Sequence, residues 1–139
     1  MKKRILVLCV GNSCRSQMAE GYLRHFAKDK ADVFSAGVET HGVNPKAIQV
    51  MKEDGIDISG HTSKHVDGYQ NDTFHYVITV CENGKDRCPY FPALEKQFHQ
   101  NFPDPASAIG APEEVLNEFR KVRDDIKKYS KEFIGKISS

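Results

Sequence analysis

The sequence predicts a parallel α/β sheet covered on both faces. Two observations carry this. Short apolar runs of strand length alternate with longer stretches whose apolar residues recur at helical spacing. The chain has 139 residues, which fits one compact domain, 1–139, able to bury a core without staples. In such sheets ligands gather beyond the carboxyl ends of the strands.

The elements follow in order. Residues 5–9 are a short apolar run and read as a buried strand ending at Cys9. Gly11, Asn12 and Ser13 signal a turn. From residue 17 to about residue 28, Met18, Ala19, Tyr22, Leu23 and Phe26 fall at helical spacing. Residues 33–36 read as a second strand, closed by Gly37. Asn44 and Pro45 open a helix as N-cap and first-turn proline. Ala47, Ile48 and Met51 form its buried stripe, and Gly55 ends it. Residues 63–69 read as a short helical or irregular stretch. Residues 76–80 are the clearest strand and run straight into Cys81. Residues 91–102 read ambiguously, with a last strand expected near their end. Residues 112–137 make one long amphipathic helix, with Val115, Phe119, Val122, Ile126, Tyr129 and Phe133 on one face. Three segments thus meet at one sheet edge: the loop after Cys9, the segment after Val80 and the loop around Asp104. All three carry chemically capable residues, which points to an enzyme.

Bulk properties exclude several classes. The formal net charge is +1, whereas nucleic-acid and membrane-surface proteins usually carry a basic excess. Neither partner is expected. No apolar run is long enough to span a bilayer. The basic start, Met1 to Arg4, precedes apolar residues as in a signal peptide, but Asn12, Arg15, Gln17 and Glu20 cut that stretch short. A cytoplasmic location is therefore expected, with Cys9, Cys14, Cys81 and Cys88 as reduced thiols. No cofactor is called for. Zinc fits poorly, because the thiol spacing is wider than usual and no second ligand pair is obvious.

Residues 9–16 leave a strand and enter a helix. Helix N-termini present unbonded N–H groups and partial positive charge, so successive N–H groups there form an anion nest. Val10, Gly11, Asn12, Ser13, Cys14 and Arg15 are the candidate oxyanion-binding residues. Gly11 allows close backbone approach, Asn12 tolerates a left-handed conformation, and Arg15 can fork onto two oxygens. The same field is expected to lower the Cys9 pKa, making it the nucleophile, with Ser16 donating to its sulfur. A cysteine six residues before an arginine is weak alone; between strand and helix, with Gly-Asn-Ser inside, it is specific. The bland alternative is a buried cysteine beside a surface arginine.

This loop resembles the phosphate-binding loop of the low-molecular-weight protein tyrosine phosphatase superfamily. Gln17-Met18-Ala19-Glu20-Gly21 narrows the resemblance, since those phosphatases usually have proline where Gln17 stands. Ser35-Ala36-Gly37, the stretch from Thr40 to Ala47, and Gly55-Ile56-Asp57-Ile58-Ser59 are similar to thioredoxin-coupled arsenate reductases. The likeness continues through Phe119-Arg120-Lys121-Val122-Arg123-Asp124 and covers nearly the whole chain. It implies a four-stranded parallel sheet with flanking helices, a three-layer α/β/α fold of flavodoxin-like order.

The resemblance also implies a reaction. Cys9 attacks arsenate, Arg15 and the loop hold its oxygens, and Asp104 protonates the departing hydroxyl. Cys81 then attacks Cys9, arsenite leaves, and Cys88 draws the disulfide outward for thioredoxin to reduce. A phosphatase needs neither Cys81 nor Cys88, because water resolves its phosphocysteine. Each of these thiols alone reads as incidental; the pair on this scaffold does not. Cys14 reads as structural or as a backup redox partner. Asp104-Pro105 matches the acid loop, and Ala106 replaces the aromatic that usually lines an aryl groove, favouring a small inorganic oxyanion. Relatives often bind a monovalent cation near this loop; Asn12, Glu20 and Ser35 match its ligands, but Lys64 stands where they carry aspartate. No metal is assigned, and a monomer is expected. The alternatives are a low-molecular-weight phosphatase acting on phosphomonoesters through Cys9, and a non-catalytic oxyanion or redox module.

Overall fold

The structure is a computed structural model that describes residues 2–82 and 89–138. Four parallel strands build the sheet: β1 (Lys3–Cys9), β2 (Ala31–Gly37), β3 (Tyr76–Thr79) and β4 (Lys96–His99). Their order is β2-β1-β3-β4, so β1 is central and the crossover from β2 to β3 passes over it. This is the expected doubly wound order. Three helices accompany it: α1 (Arg15–Ala27), α2 (Pro45–Glu53) and α3 (Pro112–Ser138).

Alternation along β1 divides the core. Ile5, Val7 and Cys9 face one way, into a cluster with Met18, Tyr22 and Leu23 of α1, Val50 and Met51 of α2, and Phe119, Val122, Ile126 and Phe133 of α3. The predicted stripe of α3 is therefore the face it buries. Leu6 and Leu8 face the opposite way, with Ala36, Phe74, Val77 and Phe91. Among the described residues the cover on this side is a single 3-10 turn, Val66–Tyr69, and irregular chain carrying edge-to-face aromatics, with the Phe34, Tyr69 and Phe91 rings each 5.6–5.7 Å from Phe74. The second layer is thinner than regular helices would make it, because residues 54–75 spend their length on turns rather than on one helix.

Local chemistry sets the boundaries. Asn44 caps α2 through its side chain, which accepts from Lys46 N, and Pro45 occupies the first turn. Gly55 follows α2 at φ +80°, the left-handed stop. Helix α1 differs: its N-cap, Cys14, makes no side-chain cap bond and its first turn holds no acidic residue. The positive end of α1 is left uncompensated by its own residues, at the carboxyl end of the central strand.

Candidate active site

The oxyanion loop joins β1 to α1 and is tied down by its carbonyls. Val10 O accepts from Glu39 N, Gly11 O from His41 N, Ser13 O from Asn44 N and Cys14 O from Met18 N, all at 2.9–3.1 Å. Asn12 O accepts from Gln17 Nε2 and Ser63 Oγ. Five consecutive carbonyls are thus held by protein donors, which leaves the loop's N–H groups for an anion. Asn12 adopts φ +48°, the left-handed conformation expected of it. Gly37, opposite Cys9 at the end of β2, lets the loop cross close by: a Cβ there would lie 2.4 Å from Val10 O.

Cys9, Val10, Gly11, Ser13, Cys14, Arg15, His41, Asp104 and Ala106 line one pocket of about 140 Å³. The structure brings Cys9, Arg15 and Asp104 together, as the sequence predicts. Arg15 is buried; its Nη1 donates to Phe102 O at 3.1 Å and its Nη2 lies 3.8 Å from Asp104 Oδ2. Asp104 Oδ1 accepts from Ala106 N at 3.0 Å, an N-cap that holds the carboxyl at the start of the Pro105–Ser107 turn. Its other oxygen is the one toward Arg15. Ser16 is fully buried and its Oγ accepts from Asn12 Nδ2 at 2.9 Å, so its own proton remains to be donated. Burial, aided by the Asp104 charge, pushes the Cys14 thiol up to about 12. It stays protonated near neutral pH, which fits a structural thiol.

The residues matched to a cation site close on one another instead. Asn12 Nδ2 donates to Ser35 Oγ at 2.9 Å, and Ser35 Oγ donates to Glu20 Oε1 at 2.6 Å. Glu20 Oε2 pairs with Arg24 Nε at 3.0 Å. Asn12 Oδ1 accepts from Gln17 Nε2 and from Lys64 N, and Lys64 Nζ donates to Thr62 O at 2.8 Å. The oxygens a cation would use are already taken by protein donors, so these residues do not fit one. Among the described residues, no group of three or more His, Cys, Asp or Glu side chains is placed to hold a metal. Gln17 Oε1 also accepts from His61 Nδ1 at 2.9 Å, and burial keeps the His61 pKa low. Gln17 therefore ties the oxyanion loop to residues 61–62.

Cys81 follows β3. Leu8 pairs with Thr79 and Leu8 O accepts from Val80 N, which puts Cys81 one residue past the position opposite Cys9. Both sulfurs belong to the same buried cluster. Cys81 is disulfide-bonded rather than the reduced thiol the sequence leads us to expect, whereas Cys9 and Cys14 are thiols as expected. Cys88 lies outside the described residues.

Two contributors were not singled out from the sequence. Phe102 acts through its backbone carbonyl, which carries no sequence signal. His41 lies in the stretch from Thr40 to Ala47 but was given no role of its own. Its signal was positional: it follows the end of β2, at the same sheet edge as Cys9.

Residues 4–139 match the low molecular weight phosphotyrosine protein phosphatase family. The chain is 49% identical over 134 residues to an arsenate reductase of Shouchella clausii, covering 95% of each chain. It is 47% identical over 131 residues to an arsenate reductase of Bacillus subtilis, covering 94% of each. A solved arsenate reductase in the phosphate binding state superposes with a TM-score of 0.82 at 36% identity, over 99% of both chains. Matched by that family's model over residues 4–139 and by the fold of solved arsenate reductases, the chain belongs to the low molecular weight phosphotyrosine protein phosphatase family.

Proposed function

We propose that this protein is an arsenate reductase that turns over through a three-thiol relay recycled by thioredoxin. Arsenate binds in the loop of residues 10–15 with Arg15 across its oxygens. Cys9 thiolate attacks arsenic, and Asp104 protonates the departing hydroxyl, which leaves as water. Cys81 thiolate then attacks Cys9 sulfur; the S–As bond breaks, its electron pair stays on arsenic, and arsenite leaves. Cys88 attacks Cys81, which releases the Cys9 thiolate and leaves a Cys81–Cys88 disulfide. The dithiol of thioredoxin reduces that bond and takes the oxidation outward.

The observation that carries this reading is Cys81. It follows β3 one residue past the position opposite Cys9 and shares the buried cluster with it, which supports a second thiol within reach of the first. A phosphatase has no use for that sulfur. Ala106 at the pocket wall and the pocket's 140 Å³ support a small inorganic substrate. The similarity to arsenate reductases near 50% identity supports the reaction class.

The test is arsenate-dependent NADPH oxidation with thioredoxin and thioredoxin reductase, run beside hydrolysis of an aryl phosphate. Cys81→Ser and Cys88→Ser should each abolish the first activity and spare the second. Full arsenate turnover in both variants would sink the relay. Aryl phosphate turnover without any arsenate turnover would instead make the chain a phosphatase.

A further inference from the structure

The chain between β2 and α2 runs along the outside of the oxyanion loop. The N–H groups of Glu39, His41 and Asn44 fix its backbone on Val10, Gly11 and Ser13, so the side chains it carries have defined places. The His41 imidazole lies over Gly11: a Cβ built on Gly11 would sit 2.5 Å from Nδ1 and 3.0 Å from Cε1 and Cγ. Gly11 is not among the residues at positive φ. Conformation does not demand glycine there; room for the imidazole does. The other ring nitrogen, Nε2, is 2.6 Å from Glu39 Oε1.

A carboxylate can only accept, so Nε2 carries the proton in that bond, and in the neutral ring Nδ1 holds the lone pair. We propose that His41 is a substrate-binding residue: its Nδ1 accepts a hydrogen bond from the hydroxyl of a protonated tetrahedral oxyanion, monohydrogen arsenate or phosphate. Glu39 is the positioning residue that fixes the tautomer. The inference rests on the oxyanion-pocket reading and adds what that pocket selects.

The need for such an acceptor follows from the other walls. The loop N–H groups and Arg15 donate. Ser13 Oγ already accepts from Cys14 Sγ at 3.9 Å, so it too has a proton to offer inward. Asp104, in the acid form its role requires, donates. The Cys9 sulfur faces the central atom. Among the described residues lining the pocket, most of these groups donate, and the His41 Nδ1 lone pair is an acceptor held in place for a substrate hydroxyl. Sulfate has the same shape but carries no proton near neutral pH, so its oxygen would face the Nδ1 lone pair. The Glu39–His41 pair therefore selects protonated oxyanions against sulfate.

The experiment is calorimetric titration of the reduced full-length protein with inorganic phosphate and with sulfate at mildly alkaline pH. Binding needs no turnover, so a failed relay leaves this result standing. Wild-type protein should hold phosphate at least about tenfold tighter than sulfate, the worth of a hydrogen bond to a charged partner. His41→Ala removes a half-exposed side chain, so the fold should persist; it should weaken phosphate about tenfold and leave sulfate unchanged or tighter. In Glu39→Gln the amide can donate to Nε2, which turns Nδ1 into a donor. Phosphate should weaken and sulfate should tighten, a reversal that a merely structural role would not produce. An unchanged phosphate-to-sulfate ratio in His41→Ala, whether both affinities fall or neither does, overturns the proposal. No phosphate binding by the wild type would overturn the pocket reading and this proposal with it.

Discussion

Gly37→Ala should damage the oxyanion loop from outside it. Gly37 ends β2 opposite Cys9, and its missing side chain is where the loop crosses. A Cβ would meet Val10 O at 2.4 Å, Asn12 N at 2.8 Å and Val10 C at 2.9 Å. All three are backbone atoms that no rotamer change can move. A carbon–oxygen contact relaxes only near 3.3 Å, so the loop must shift by about 1 Å. Overpacking of this kind costs about 1–3 kcal/mol, which for a chain of this size lowers Tm by about 4–12 °C. A misplacement of about 1 Å at a catalytic constellation costs about a hundredfold in rate. Phosphate titration, arsenate turnover and thermal melts read these effects together. Gly11→Ala is the control for stability, because the atoms nearest its Cβ belong to the half-exposed His41 ring, which can turn away; its Tm should change by less than about 2 °C, the usual size of a surface substitution. Unchanged phosphate affinity and an unchanged Tm in Gly37→Ala would refute the packing argument.

Three further outcomes follow from named contacts. Asp104→Asn keeps an acceptor for Ala106 N but removes the acid, so arsenate turnover should fall about 10²–10⁴-fold while phosphate affinity holds; equal losses in both would mean Asp104 binds rather than protonates. Arg15→Lys loses the fork that reaches both Phe102 O and the anion, and phosphate affinity should drop at least about tenfold in the same titration. Lys127 Nζ is 2.9 Å from Asp54 Oδ2, and that bond is the main reason the Asp54 pKa is lowered, with the Tyr22 hydroxyl at 2.7 Å adding to it. A depressed carboxylate stabilises the fold above its unfolded pKa and stops doing so as pH falls through its folded value. Lys127→Met should therefore be less stable than wild type at neutral pH, and the gap in urea midpoint should close below about pH 4; a gap that persists in acid would assign the effect to packing.

Much of this architecture was legible in the chain, for physical reasons that differ by element. The run of residues 5–9 reads as a strand because both its faces are buried, and Asn44-Pro45 reads as a helix start because the cap is local. The long stripe of α3 was visible because one side of the helix carries the core. Strand β4 was nearly silent: Lys96, Gln97 and His99 are polar, and only Phe98 reports a buried face on this edge strand. The site divides the same way. Cys9 and Arg15 announce themselves by residue type and spacing, whereas Asp104 stands out only through the resemblance of Asp104-Pro105 to an acid loop. Gly37 and Gly11 do neither, since their role is the volume they leave for residues distant in sequence or in the adjoining loop. The Asn12 network is likewise tertiary: it joins Ser16, Ser35 and Lys64 across 52 positions. Gln17 could be noticed as a departure from the phosphatase pattern, but its bonds to Asn12 and Thr62 required the fold.

In the proposed relay Cys9, Cys81 and Cys88 act in sequence on one oxyanion. A single-turnover measurement addresses it most directly. Fully reduced protein is mixed with arsenate in the absence of thioredoxin, arsenite is counted, and the disulfides are mapped by peptide mass after acid quench. One arsenite per chain and a Cys81–Cys88 disulfide are expected, with Cys9 and Cys14 recovered as thiols. In Cys88→Ser the same single arsenite is expected, with the bond trapped between Cys9 and Cys81. Arsenite formed with Cys81 still reduced, or a Cys9–Cys14 disulfide as the product, would contradict the relay.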